Sequence, residues 1–364
     1  MNQNNETFVR ADRRLPGLSN AAIAAFALLA AAGLQYVKWA PSWHRLRLIA
    51  AGGHMGGSIL AAGGYPDAAS WRAAWTYAWA YGREIWKALL LGLLLGTGVQ
   101  ALIPGRWVRT LFGGAGYRGV GAAGLIAVPS MMCTCCAAPV AVGLRQAGAS
   151  ARATLAYWLG NPTLNPATLI LIGFVLGWKW LALRLTLGVL LVFGGSYLLA
   201  GATELDRISA SAPAAIDASA AGAGGFAQSP WRRWSVELWR LAISLVPEYV
   251  ALIFLLGVAR AWLFPLPVEG HAVISGVWWT VALAAAGTLF AIPTAAEIPI
   301  VQTMMAAGLG IAPAAALLVT LPTVSLPSLA MMTKALPAKV LIAVGLLVTA
   351  TGLLAAAIVY ALPF

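Results

Sequence analysis

Charge is what this sequence has least of. Only 9% of its residues are Asp, Glu, Lys or Arg, where a soluble domain carries about 25%. With 61% apolar residues and a mean hydropathy of +0.83, that deficit excludes an ordinary soluble domain. Negative charge is the scarcer sign: 11 Asp and Glu stand against 23 Lys and Arg in 364 residues, a net charge of +12. In a soluble protein such a balance would point to nucleic acid. Here the cations flank apolar runs, as the positive-inside rule requires, so no nucleic-acid partner is expected. Histidine is nearly missing. There are three, His44, His54 and His271, and the patterned part of the chain holds only His271, at a loop. A cysteine nucleophile would lack its usual base, and no enzyme is expected. No Walker A pattern is present, which argues against an ATP-driven pump. Cysteine is limited to three residues in one apolar stretch, which is not a disulfide framework.

What is abundant is uncharged apolar sequence. Residues 88–103, 185–201 and 340–363 hold no charge at all, and about 20 apolar residues cross a bilayer. The expected fold class is an all-α polytopic membrane protein of about nine spans or long broken segments, located in the cell membrane of a bacterium. Residues 1–17 read as a polar tail carrying Arg10, Arg13 and Arg14, with no cleavable signal evident. Residues 18–70 read as a first transmembrane helix (18–37) and an extra segment. That extra segment, with His44, Arg45, Arg47 and His54, is open between interfacial, re-entrant and poor span. Residues 71–103 read as one long helix whose Trp71, Trp75 and Trp79 suit the interface. Residues 201–230 are rich in Ala, Ser and Gly and read as a flexible linker.

Breakers recur across this linker at one spacing. Pro139 and Pro299, Ala147-Gly148 and Ala307-Gly308, Pro162-Thr163 and Pro322-Thr323 all lie 160 positions apart, and Asn165 falls on Ser325. The chain reads as two structural repeats, 71–200 and 231–362, with broken or re-entrant helices at the centre. Paired interrupted segments are the sequence pointer to a transporter's binding site. The loop after Pro104 holds Arg106, Arg109 and Arg118, whereas its counterpart after Pro265 holds Glu269 and His271. That asymmetry favours inverted repeats if one broken segment per repeat is re-entrant, and parallel repeats if every segment spans.

The central stretch is Pro129-Ser-Met-Met-Cys-Thr-Cys-Cys-Ala-Ala-Pro139. Proline interrupts a helix, and freed backbone groups at membrane depth survive only against protein or a cavity. Cys133, Cys135 and Cys136 therefore stand at a helix break as soft ligands. Thiolates suit monovalent copper, zinc and, by extension, trivalent arsenic or mercury. In helical geometry Cys133 and Cys136 share a face while Cys135 points elsewhere unless the backbone is unwound. The alternative is that the cysteines only pack. Met131, Met132, Met304 and Met305 are auxiliary thioethers or gap-fillers. Asn161 and Asn165, at the second break, orient a substrate or cap half-helices. The second copy, Pro293-Thr-Ala-Ala-Glu-Ile-Pro299, replaces cysteine by Glu297. An intramembrane acid is a functional candidate by default, here for proton coupling, with Glu248 a weaker one.

On the Cys-rich stretch before Pro139, the Gly143-Leu144…Gly148 turn, the Asn161-Pro162…Asn165-Pro166 break and the second-half copy, the chain resembles the predicted-permease family that includes the ArsP-type organoarsenical efflux permeases. The resemblance covers most of 80–362. It implies a secondary transporter with no cofactor, exporting soft thiol-reactive metalloid or metal species such as trivalent organoarsenicals. Its substrate site would use Cys133, Cys135 and Cys136; the residues themselves add Met132, Met304, Asn161 and Asn165 as candidates beside them. The second reading is a transporter of a small, possibly sulfur-containing anion, drawn to half-helix N-termini. Its partners would be the small molecule or ion and the lipid bilayer.

Overall fold

The computed structural model describes residues 20–52, 71–103, 105–114, 116–202, 230–263 and 276–362. All regular structure among the described residues is helical. His54, Glu269, His271, the tail 1–17 and nearly all of the expected linker (203–229) lie outside the described residues.

The first helix, α1 (Asn20–Leu34), runs through a π-helical turn, Gln35–Trp39, into α2 (Ala40–Ala50). The expected first span, 18–37, thus has no end at 37: residues 20–50 are helical without a gap, and the extra segment begins as its continuation. Next comes α3 (Trp71–Leu102), the single long helix expected there. A short α4 (Gly105–Phe112) leads to α5 (Tyr117–Ser130), which stops at Met131. After a three-residue break, α6 (Thr134–Gln146) resumes. The second interrupted segment is α7 (Ala151–Thr163) and α8 (Pro166–Val175), followed by α9 (Trp178–Val189), a π-helical stretch, and α10 (Ser196–Ala202).

In the second half, α11 (Pro230–Leu263) is a long helix like α3. Then come α12 (Val277–Leu289), α13 (Glu297–Ala306), α14 (Ile311–Thr323), α15 (Leu326–Met332) and α16 (Ala338–Ala361). Helices α5 and α12, α7 and α14, α8 and α15, and α9 and α16 each begin 160 residues apart. The shared starts follow from shared breakers: Pro162 and Pro322 sit in the last turn of α7 and α14, and Asn165 and Ser325 cap the helices after them.

Among the described residues five segments, within α3, α9–α10, α11, α14–α15 and α16, are long and apolar enough to cross a membrane, or six if α4 and α5, bent by 108°, form one span. The other segments are half-length helices. Those half-helices are the most enclosed part of the molecule: every residue of α7 but Arg152 is buried, and α6 is buried from Thr134 to Leu144. Around them α3 packs along α11 and α6, α7 against α5 and α14, and α14 along α16 and α12. Helix α6 also meets α15, while α8 meets α13.

Candidate functional site

The break at 131–133 is held open by the backbone itself. Met131 adopts φ 49 and ψ 33, a left-handed conformation that costs a non-glycine residue about 1–3 kcal/mol. The opposing break has a matching strain at Ala295, φ 67. Both asparagines are spent on stabilising this geometry. The Asn161 side chain accepts from Met132 N at 3.3 Å and donates to the Tyr157 carbonyl at 2.8 Å. Asn165 caps α8 by accepting from Ala167 N and Thr168 N at 3.1 and 3.2 Å, and its amide donates to the Met131 carbonyl at 3.4 Å. Each side chain binds backbone that proline and the helix ends have freed.

Cys133 is the residue before α6 and Cys136 lies in its first turn, so their sulfurs meet: Sγ to Sγ is 2.8 Å. All three thiols are free. Cys135 faces the other way, 3.3 Å from Ser325 Oγ and 3.9 Å from the Tyr81 hydroxyl. The structure thus has Cys133 and Cys136 on one face and Cys135 on another, the arrangement that helical spacing gives. Among the described residues no three His, Cys, Asp or Glu side chains are grouped to hold a metal ion. The physical reason is helical spacing: positions three apart share a face, and positions one or two apart do not.

A small pocket lies between the two breaks, lined by Met132, Cys133, Pro162, Thr168, Pro293–Ala295, Glu297 and Pro322 among others. Cys133 and Glu297, from opposite halves, share it. Cys135, Cys136, Asn161, Asn165 and Met304 do not line it, although all are buried. Met304 stands on the α13 side of the core, and Met132 is the thioether at the wall. Glu297 opens α13, 1% exposed, and its Oε2 finds no hydrogen-bond partner among the described residues. Glu248 carries no such burial; its helix position is exposed.

Three residues at this centre escaped the reading of the sequence. Lys38, in the π-helical turn, is 7% exposed and donates to Thr294 Oγ1 at 3.3 Å. Beside it, Trp39 Nε1 donates to the Pro129 carbonyl at 3.0 Å. The turn therefore reaches both breaks. Arg184, on α9, is 1% exposed and its guanidinium binds the carbonyls of Leu318 and Pro162. Its signal was present: a charge inside the expected span 178–200 is a functional candidate by the argument that singled out Glu297. For Lys38, next to an unassigned segment, no pattern marked it.

Long apolar helices with broken helices buried between them define a multi-pass helical membrane protein. The chain matches the family model ArsP_1, described as predicted permease, over residues 84–361, and it belongs to that family. It is 47% identical over 331 residues, 91% of this chain and 92% of the relative, to UPF0718 protein YraQ of Escherichia coli strain K12. No solved structure matches it. The protein is thus a membrane permease.

Proposed function

We propose that this permease is a secondary transporter that exports soft, thiol-reactive metalloid or metal species, with trivalent organoarsenicals as the representative substrate class. The observation that carries the reading is the Cys133–Cys136 pair, 2.8 Å apart at a helix break beside a pocket that also holds Glu297. Two thiols satisfy a monosubstituted trivalent arsenical and suit soft acceptors generally. Glu297 is the proton-coupling acid, since thiol ligands exchange protons when they bind and release their cargo and an acid at the same pocket provides the route. The chain works as two structural repeats, 71–200 and 231–362, a reading supported by the helix starts 160 residues apart and by reciprocal packing of α6 on α15 and of α8 on α13.

The test is accumulation of a trivalent phenyl arsenical by everted membrane vesicles under a proton gradient. Wild-type vesicles accumulate it, and the Cys133→Ser/Cys136→Ser double variant does not. Equal accumulation by both would end the soft-ligand reading.

A second reading, export of a small anion, is favoured by one feature. The N-terminal ends of α6, α8 and α13 all contribute to the pocket, through the cap residue Cys133, Thr168 and Glu297. Their positive dipole ends suit an anion. Thiosulfate uptake that survives the double serine substitution, with no arsenical transport, would establish it in place of the first.

A further inference from the structure

Prolines in α14 and after α7 each deprive a carbonyl of its helical donor. In a continuous helix the Leu318 oxygen accepts from residue 322 and the Pro162 oxygen from residue 166. Both of those residues are proline and have no N–H. Arg184 fills both places. Its Nη1 binds the Leu318 carbonyl and its Nη2 the Pro162 carbonyl at 3.2 Å. One buried side chain thus ties a half-helix of the first half to a half-helix of the second. Its Nε has no hydrogen-bond partner among the described residues. Glu297 Oε2 is in the same condition. Pro162, whose carbonyl Arg184 binds, lines one pocket with Pro322 and Glu297.

We propose that Arg184 is a positioning residue for transport: it latches α7 to α14 through the Pro162 and Leu318 carbonyls while Glu297 is protonated, and turns to the carboxylate, freeing both breaks, when Glu297 is ionised. This rests on the reading of Glu297 as the proton-coupling acid. The direction follows from hydrogen-bond strength. A guanidinium binds a carboxylate more strongly than a neutral carbonyl, and an ionised acid in a buried site without a counter-charge is unstable. The proton leaves Glu297 through the pocket it lines. Other titratable groups near that pocket are Cys133, at the start of α6, and Lys38, held on Thr294. Helices α8 and α14 bring none.

The experiment is hydrogen exchange of the full-length protein in lipid nanodiscs, read by mass spectrometry and corrected for intrinsic rates. In the wild type, amides flanking Pro162 and Pro322 exchange at least about tenfold faster at about pH 8.5 than at about pH 5.5. Glu297→Gln stays protected at both pH values, Arg184→Gln exchanges fast at both, and Lys38→Gln behaves as the wild type. A wild type with no pH dependence, or a Glu297→Gln variant that keeps it, overturns the latch even if Arg184→Gln does not fold. So does a pH dependence abolished by Lys38→Gln alone, since Lys38 would then be the counter-charge. None of these readouts uses the substrate, so the latch and the soft-ligand reading fail separately.

Discussion

At the scale of single residues, the three cysteines separate into two environments although they lie within one helical turn. Cys133 and Cys136 face each other beside the pocket, whereas Cys135 packs against Ser325 and Tyr81 in the contact between α6 and α15. On the proposed reading, single substitution of Cys133 or Cys136 by serine lowers arsenical affinity by more than the 10- to 100-fold, roughly, that outer-shell ligand partners are worth. Cys135→Ser keeps affinity within about threefold, because a hydroxyl still bonds Ser325. Isothermal titration of the three purified variants with a trivalent phenyl arsenical checks this. A Cys135→Ser affinity as weak as that of Cys133→Ser would restore a three-thiol site. Glu297 makes a different prediction. Glu297→Gln keeps the shape and burial of the side chain but cannot ionise, so binding persists while gradient-driven accumulation is lost. Vesicles of that variant should bind the arsenical and fail to concentrate it.

At the scale of elements, the cysteine helix is seated by glycine. Gly92 and Gly96 form a small-xxx-small step on α3, the arrangement that lets membrane helices approach closely. A methyl group on Gly92 would meet the Cys136 carbonyl, and one on Gly96 the Pro139 carbonyl. Since backbone is the obstacle in both cases, neither helix can yield without moving the break. Gly92→Ala should destabilise the protein by about 1–3 kcal/mol, the range for overpacking, and lower its thermal midpoint in detergent. A Gly92→Ala midpoint equal to that of the parent would show that α3 does not set the position of Cys136. The cap at Asn165 predicts the reverse tolerance. Asn165→Ala loses about 1 kcal/mol of cap energy, while Asn165→Ser loses less, since Ser325 caps α15 at the matching position through its hydroxyl. These breaks were legible in the sequence because proline, glycine and asparagine act locally. Pro162, Asn165, Pro322 and Ser325 each end or start a helix wherever tertiary packing places it. What was not legible depends on distant chain: that Cys135 turns to Ser325, 190 positions away, or that Arg184 finds the Leu318 carbonyl.

At the scale of the whole molecule, the segment read least well from sequence sits against the centre. Residues 35–39 lie before the stretch that matches the permease family, 84–361, yet they touch both broken segments: Trp39 binds the Pro129 carbonyl, where α5 ends, and Lys38 binds Thr294, ahead of α13. Amphipathic patterning could not reveal this, because α1 carries no charged residue to mark a face and a π-helical turn rotates the faces of α2 relative to those of α1. The arrangement has a mechanical consequence. An element bonded to both breaks must release at least one of them if the two halves move relative to each other during transport. Trp39→Phe keeps the ring and removes the bond to Pro129, so it lowers the cost of that release by about 0.5–1.5 kcal/mol, the net worth of one hydrogen bond. On the proposed reading, the turnover of arsenical export should then rise by about 2- to 10-fold with binding affinity unchanged, as measured by initial rates in vesicles against equilibrium titration. A lower turnover at unchanged affinity would mean that the bond persists through the cycle and supports the pocket, and a weakened affinity would place Trp39 in substrate binding instead.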